Sequence, residues 1–146
     1  MAPQRGNLDQ QVTMEHLSAN TTSQQTFHNI VADRGKSTFN GRIHIHAGAR
    51  NSSANLSNKN IGLGANATIN TKPELEIYND DVSCSHGATI GQLDNDQLFY
   101  LCSRGVDPNA ARQLLCEGFL QQCVGGPLAD SATAGLLEPL QGLSIQ

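Results

Sequence analysis

Residues 41–53 read Gly-Arg-Ile-His-Ile-His-Ala-Gly-Ala-Arg-Asn-Ser-Ser. Ile43, Ile45 and Ala47 alternate with His44 and His46, so in an extended chain the apolar side chains share one face and the imidazoles take the other. The cluster Gly48 to Ser53 that follows is turn chemistry: residues that tolerate positive φ or hydrogen-bond their own backbone. The stretch therefore reads as a half-buried strand running into a turn.

The same period of two recurs on either side. Val12, Met14 and His16 share a face with Glu15 opposite, and Leu75 and Ile77 share one with Glu74 and Glu76 opposite. Gly62 to Asn66 is a second turn cluster. From Val12 to Gln92 no helical pattern of about ten or more residues intervenes, which argues against βαβ units and for a sandwich, barrel or β-solenoid. Rungs of roughly 20 residues with Asn-rich corners suit a solenoid. A solenoid needs at least about three stacked repeats and a cap, so the ends of this segment require further sequence or a partner chain to cover them.

With 146 residues the chain fits one ordinary domain. Charged residues are 15% of the sequence and Trp is absent, so its polar surface is mostly neutral and hydrogen-bonding, which favours strands and turns. A net charge of −4 without a Lys/Arg cluster lacks the electrostatic footprint of a phosphate-backbone binder, and nucleic acid is not an expected partner. No stretch approaches the ~20 consecutive apolar residues of a spanning helix, and the polar start, Met1 to Gln11, has no signal-peptide core. Cys84, Cys102, Cys116 and Cys123 contain no CxxC pair, and without a secretory signal they are expected as reduced thiols in a cytosol-like compartment.

At Leu93 the period changes. Asp94 is a good N-cap, Leu98, Leu101 and Cys102 follow at helical spacing, and Gly105 stands where a left-handed C-terminal residue belongs. Asp107 caps a second helix, Pro108 takes its first position, and Ala111, Leu114, Leu115 and Phe119 form an apolar stripe. The expectation is a β segment over 1–92, a helical hairpin over 93–124 and a weakly structured tail over 125–146, where Gly, Pro, Ala and Leu lack a sustained period.

For chemistry, the run 72–89 is the most distinctive. In an extended strand Val82, Cys84 and His86 project to one side, which makes a thiol and an imidazole half of a metal site. A closed tetrahedral site needs four ligands, and Asp80 and Asp81 precede the strand on undetermined sides. Buried thiols and hydrogen-bonded histidines are the commoner alternative. His44 and His46 form a second i, i+2 pair, for which the exposed polar face of a half-buried strand is the simpler reading. His16 and His28 stand alone. No phosphate loop, dinucleotide fingerprint, GxSxG elbow or HExxH pair is present, and neither a general base nor an open three-ligand site can be named, so enzymatic activity is not expected.

Three runs carry a family resemblance. They are Pro73-Glu-Leu-Glu-Ile-Tyr-Asn-Asp-Asp-Val-Ser-Cys-Ser-His-Gly-Ala-Thr-Ile-Gly-Gln-Leu-Asp94, then Gln97-Leu-Phe-Tyr-Leu-Cys-Ser-Arg-Gly-Val106, and more loosely Phe27-His-Asn-Ile-Val-Ala-Asp-Arg-Gly-Lys-Ser-Thr-Phe-Asn-Gly-Arg-Ile43. Together they resemble the C-terminal core of the SufB/SufD family of iron–sulfur cluster assembly scaffolds, nearest its SufD branch.

The resemblance implies a right-handed parallel β-helix, here partial, followed by a small C-terminal helical hairpin. It implies pairing with a SufB-like subunit or a second copy, and docking of a SufC-type ATPase by the helical region. A transient iron–sulfur cluster would be shared with the partner at the interface, with none firmly bound by this chain. The histidine of the Cys-Ser-His-Gly-Ala-Thr run falls on His86, with Cys84 at the same site. Leu98, Phe99, Tyr100, Arg104, Leu114, Leu115 and Phe119 are the corresponding ATPase-docking residues. A cytoplasmic location is implied, or a plastid in a photosynthetic eukaryote. The sequence departs from the family pattern after Val124, where Gly-Gly-Pro-Leu-Ala-Asp replaces an expected charged helix, and it omits the family's earlier rungs and N-terminal helical region. The competing expectation is a dimerising β-solenoid module without metal chemistry.

Overall fold

A computed structural model describes residues 6–32 and 34–123. Six strands, β1 (Asn7–His16), β2 (Thr22–Val31), β3 (Lys36–Ile45), β4 (Ser52–Gly62), β5 (Thr68–Ile77) and β6 (Val82–Gly91), precede two helices, α1 (Asn95–Ser103) and α2 (Pro108–Gln121). The fold is mainly β, and the tail expected over 125–146 lies outside the described residues.

Successive strands alternate between two parallel sheets, of order β1-β3-β5 and β2-β4-β6. Parallel neighbours need a long crossover, usually a helix. Here the strand of the opposite sheet supplies it. Asn7 lies beside Lys36 and Lys36 beside Thr68, while Ser52 lies beside Val82, so the chain returns to each sheet after 29 to 32 residues. The rung of roughly 20 residues expected from the sequence is thus too short, because β2 and β4 are strands that composition conceals. Thr22-Ser-Gln-Gln-Thr and Ser52-Ser-Ala-Asn-Leu-Ser-Asn are too polar to read as apolar alternation, and Ser52 and Ser53 belong to β4, not to the preceding turn.

Along β3 the alternation holds: Ser37, Phe39, Gly41, Ile43 and Ile45 are buried while His44 faces out. Phe39, Ile43, Ile45, Ala49, Ala54 and Leu56 form the core between the sheets, with Val12, Phe27, Leu75, Val82 and Cys84 packed against it. Each large aliphatic or Phe buried there contributes about 1.5–3 kcal/mol. Phe27 and Phe39 meet with ring centroids 4.8 Å apart. Gly41 makes room for that ring, since a Cβ there would stand 2.7 Å from Phe39 Cε1 and 2.8 Å from Leu56 Cδ1.

Beyond the apolar core the interior turns polar. Asn29 donates to Asn60 Oδ1, and Asn60 and Thr71 both donate to Asn58 Oδ1. Buried Asn60 is thus served at both its oxygen and its amide nitrogen, whereas buried Asn58 is served at its oxygen and its Nδ2 has no partner among the described residues. At the corners Asn20 (φ 61°) and Asn51 (φ 54°) occupy the left-handed region that asparagine tolerates. Asn51 Nδ2 donates to Asn20 Oδ1 at 2.6 Å, which stacks one corner on the next.

The helix signals hold at each position. Asp94 accepts from the amides of Asp96 and Gln97, and Asp107 from those of Asn109 and Ala110. Gly105 adopts φ 88°, with its N–H on Cys102 O and that of Val106 on Leu101 O, closing α1 in a Schellman motif. The apolar stripe of α2 differs in one member. Ala111 and Cys116 are buried, whereas Leu114 is 51% exposed because it points away from α1 and the sheets.

Candidate functional site

Strand β6 is bonded on one side only, to β4, and among the described residues no strand follows it. Val82, Cys84 and His86 occupy its core-facing positions, as the period of two predicts. Cys84 stands beside Ala54 and His86 beside Leu56. Cover fades along the strand: Val82 and Cys84 are half-buried and reach the core, while every residue from Ser85 to Gly91 is exposed.

His86 therefore has an inward-type position without an interior. None of the described residues hydrogen-bonds its imidazole, so its ring nitrogens are open to an external ligand. Cys84 differs. Burial raises its thiol above the ordinary cysteine value, against a smaller lowering from the Ala54 backbone, so it stands as a thiol at neutral pH. A metal binding there would first have to displace the proton.

Asp80 and Asp81 do not complete a site. Asp81 closes the corner, its N–H donating to Asn79 Oδ1 and its carbonyl accepting from Asn51 N–H at 2.7 Å. Among the described residues no group of three or more His, Cys, Asp or Glu is arranged to hold a metal ion. A cluster, as cargo, would find at most two ligands here.

The second histidine pair lies on the outer face. His44 Nδ1 is 3.1 Å from Glu76 Oε2, and His46 Nε2 is 3.7 Å from Glu15 Oε2. The two rings stand 4.2 Å apart. Tyr78 O–H donates to Glu76 Oε1 at 2.7 Å, and chiefly this bond holds the Glu76 carboxyl below its usual value, with His44 and Arg42 adding to it. Strands β1 and β5 hold the two carboxylates on opposite sides of β3, so each imidazole has its own acid. This is the polar outer face expected from the sequence, with a carboxylate near each imidazole.

Sequence reasoning missed two histidines. His16 is buried, its ring bonded to Thr21 Oγ1 at 2.6 Å and Ser23 Oγ at 2.8 Å, which ties β1 to the start of β2. His28 meets α2 across 91 residues of sequence, a contact that no local pattern encodes.

The residues expected on a docking surface separate into groups. Phe99 (75% exposed), Tyr100 (57%) and Leu114 are surface residues, and the Arg104 guanidinium lies 5.2 Å from the Tyr100 ring centroid. Tyr100 and Leu115 line a shallow depression of about 430 Å³ with Asp96, Gln97 and Leu101. Leu98 lines a different cleft, of about 280 Å³, with Gly62, Leu63 and Arg112. Phe119 is turned inward, its ring stacked on His28.

The description "SUF system FeS cluster assembly, SufBD core domain" matches residues 1–119. The chain belongs to the SufBD core family. Similar proteins include the iron–sulfur cluster assembly protein SufD of Escherichia coli, 41% identical over 111 residues, which are 76% of this chain and 26% of that protein. The chloroplastic protein ABCI7 of Arabidopsis thaliana is 37% identical over 114 residues, 77% of this chain and 24% of that one. SufB of Bacillus subtilis is 32% identical over 108 residues, 74% and 23% respectively. The chain thus spans about a quarter of the length of these relatives. Membership places it in the iron–sulfur cluster assembly SUF system. Among the described residues no helix is long and apolar enough to cross a membrane.

Proposed function

We propose that the chain is the C-terminal scaffold portion of a SUF assembly subunit: the last rungs of a right-handed parallel β-helix with a helical hairpin, acting through partners and without turnover of its own. A SufB-like subunit, or a second copy, joins at the β5–β6 end of the strand body. The observation that carries this is His86, which no described residue hydrogen-bonds, on a strand that among the described residues is paired on one side only. Such an edge offers a row of backbone N–H and C=O groups to another chain. Ile77 (43% exposed), Tyr78 (59%) and Ile90 (56%) surround that end with apolar surface.

In this reading the interface completes what one chain leaves incomplete. His86 supplies an imidazole lone pair to a nascent iron–sulfur cluster, the partner supplies the remaining ligands, and Cys84 joins once iron displaces its proton. The surface around Phe99, Tyr100 and Leu114 docks a SufC-type ATPase. Replacing His86 with Ala is expected to abolish cluster assembly in a reconstituted complex while folding and pairing persist. Full assembly by the variant would exclude the site.

A second reading is a purely structural pairing module, favoured by the two-ligand limit and the protonated Cys84. Anaerobic reconstitution with iron, sulfide and partners separates the two. The scaffold gives absorbance from a bound cluster, and the structural module gives none.

A further inference from the structure

Strand β2 is half-buried at five successive positions, Thr26 to Ile30, where a strand with one covered face would alternate. Its core-facing side chains, such as Phe27, meet the interior. Outward-facing His28 meets the end of α2. Two polar contacts cross that junction. His28 Nδ1 lies 2.7 Å from the Phe119 carbonyl oxygen, with the two rings stacked at 4.5 Å and 18°. Cys123 Sγ donates to the Thr26 carbonyl at 3.4 Å.

The Phe119 carbonyl is one of the last four of α2, which the helix leaves without an intrahelical partner. We propose that His28 is a positioning residue: a cap supplied from the strand body that latches α2 to β2 and so fixes where the helical hairpin sits. The packing around it makes a latch effective. Among described residues only Ala111 and Cys116 of the two helices are fully buried, so apolar burial anchors the hairpin at few points. A hydrogen bond and a ring stack on one residue are then a large share of its attachment.

The geometry also fixes which nitrogen of the neutral ring carries the proton. A carbonyl oxygen has only lone pairs, so the proton must sit on Nδ1 of His28, the reverse of the tautomer that free histidine favours in water. Strand β2 leads by way of β4 to β6 at the level of His86, through the register Gln25, Leu56, His86. The latch thus holds the proposed ATPase-docking hairpin on the sheet that carries the proposed cluster residue. Only that consequence rests on the function proposed above.

The test uses the whole chain. Long-range ¹H–¹⁵N correlation spectra at alkaline pH should show His28 protonated at Nδ1 and bare at Nε2; an Nε2–H tautomer overturns the latch. In His28→Ala, amide exchange over 115–121 should accelerate roughly tenfold while strand amides keep their rates. In His28→Phe, which keeps a ring but no donor, the acceleration should be smaller. Unchanged helix exchange overturns the proposal, as does equal acceleration of strands and helix, which would mean a general loss of stability. ATPase binding to the unaltered chain is measured separately. Its failure would remove the docking reading and leave the exchange result standing.

Discussion

Cys116 gives the stability of this chain a dependence on alkaline pH. Burial, with a smaller effect from the neighbouring Glu117 carboxylate, pushes its thiol up to about 11 from an ordinary value of 9.0. Between those values the unfolded chain loses the proton and the folded chain retains it, so fewer protons are bound when unfolded and stability falls as pH rises. The expected loss is about 1–3 kcal/mol across that window and nothing below it. Urea unfolding at a series of pH values should show this slope in the native chain and a shallower one in Cys116→Ala, where the raised Cys84 thiol still contributes. The period of two by itself also puts Cys84 and His86 on one side of a strand. It could not reveal that one is half-buried and the other exposed, because burial depends on what the rest of the fold packs against each position.

Among elements, the helices were the most legible, since their signals are local. Asp94, Gly105, Asp107 and Pro108 each act within a few residues of their own position, so the sequence spells out both ends of α1 and the start of α2. Gly105→Ala tests the hinge between them. A Cβ there meets no atom within 4 Å, so the cost comes from the backbone at φ 88° and not from a clash. It should be about 1 kcal/mol, read as a lower urea midpoint for the helical signal. Strands β2 and β4 were not legible. Their Gln, Asn and Ser side chains look like loop composition, and only the in-register pairing of β2 with β4 and of β4 with β6 makes strands of them. The missing strands explain why the rung length read from the sequence fell short.

For the whole molecule, the decisive feature is that among the described residues β6 has one free edge, with exposed apolar residues near it. Ile90→Lys places a charge on that end without touching the buried core. Light scattering should show loss of pairing with a SufB-like partner, or of self-association, with secondary structure unchanged. A variant that still pairs would move the interface elsewhere.

By itself the sequence determined the alternation of strands and turns, the switch to helices at Leu93, the caps, and the runs that mark the SufBD core family. These are written in neighbours a few residues apart, or in contiguous words. Only the tertiary structure decided which polar segments are strands, where the stack ends, that His86 is bare while Cys84 is covered, and that His28 meets Phe119. Each of those depends on residues about thirty or more positions apart coming into register, and the energy that selects them is shared between segments that no local window holds together.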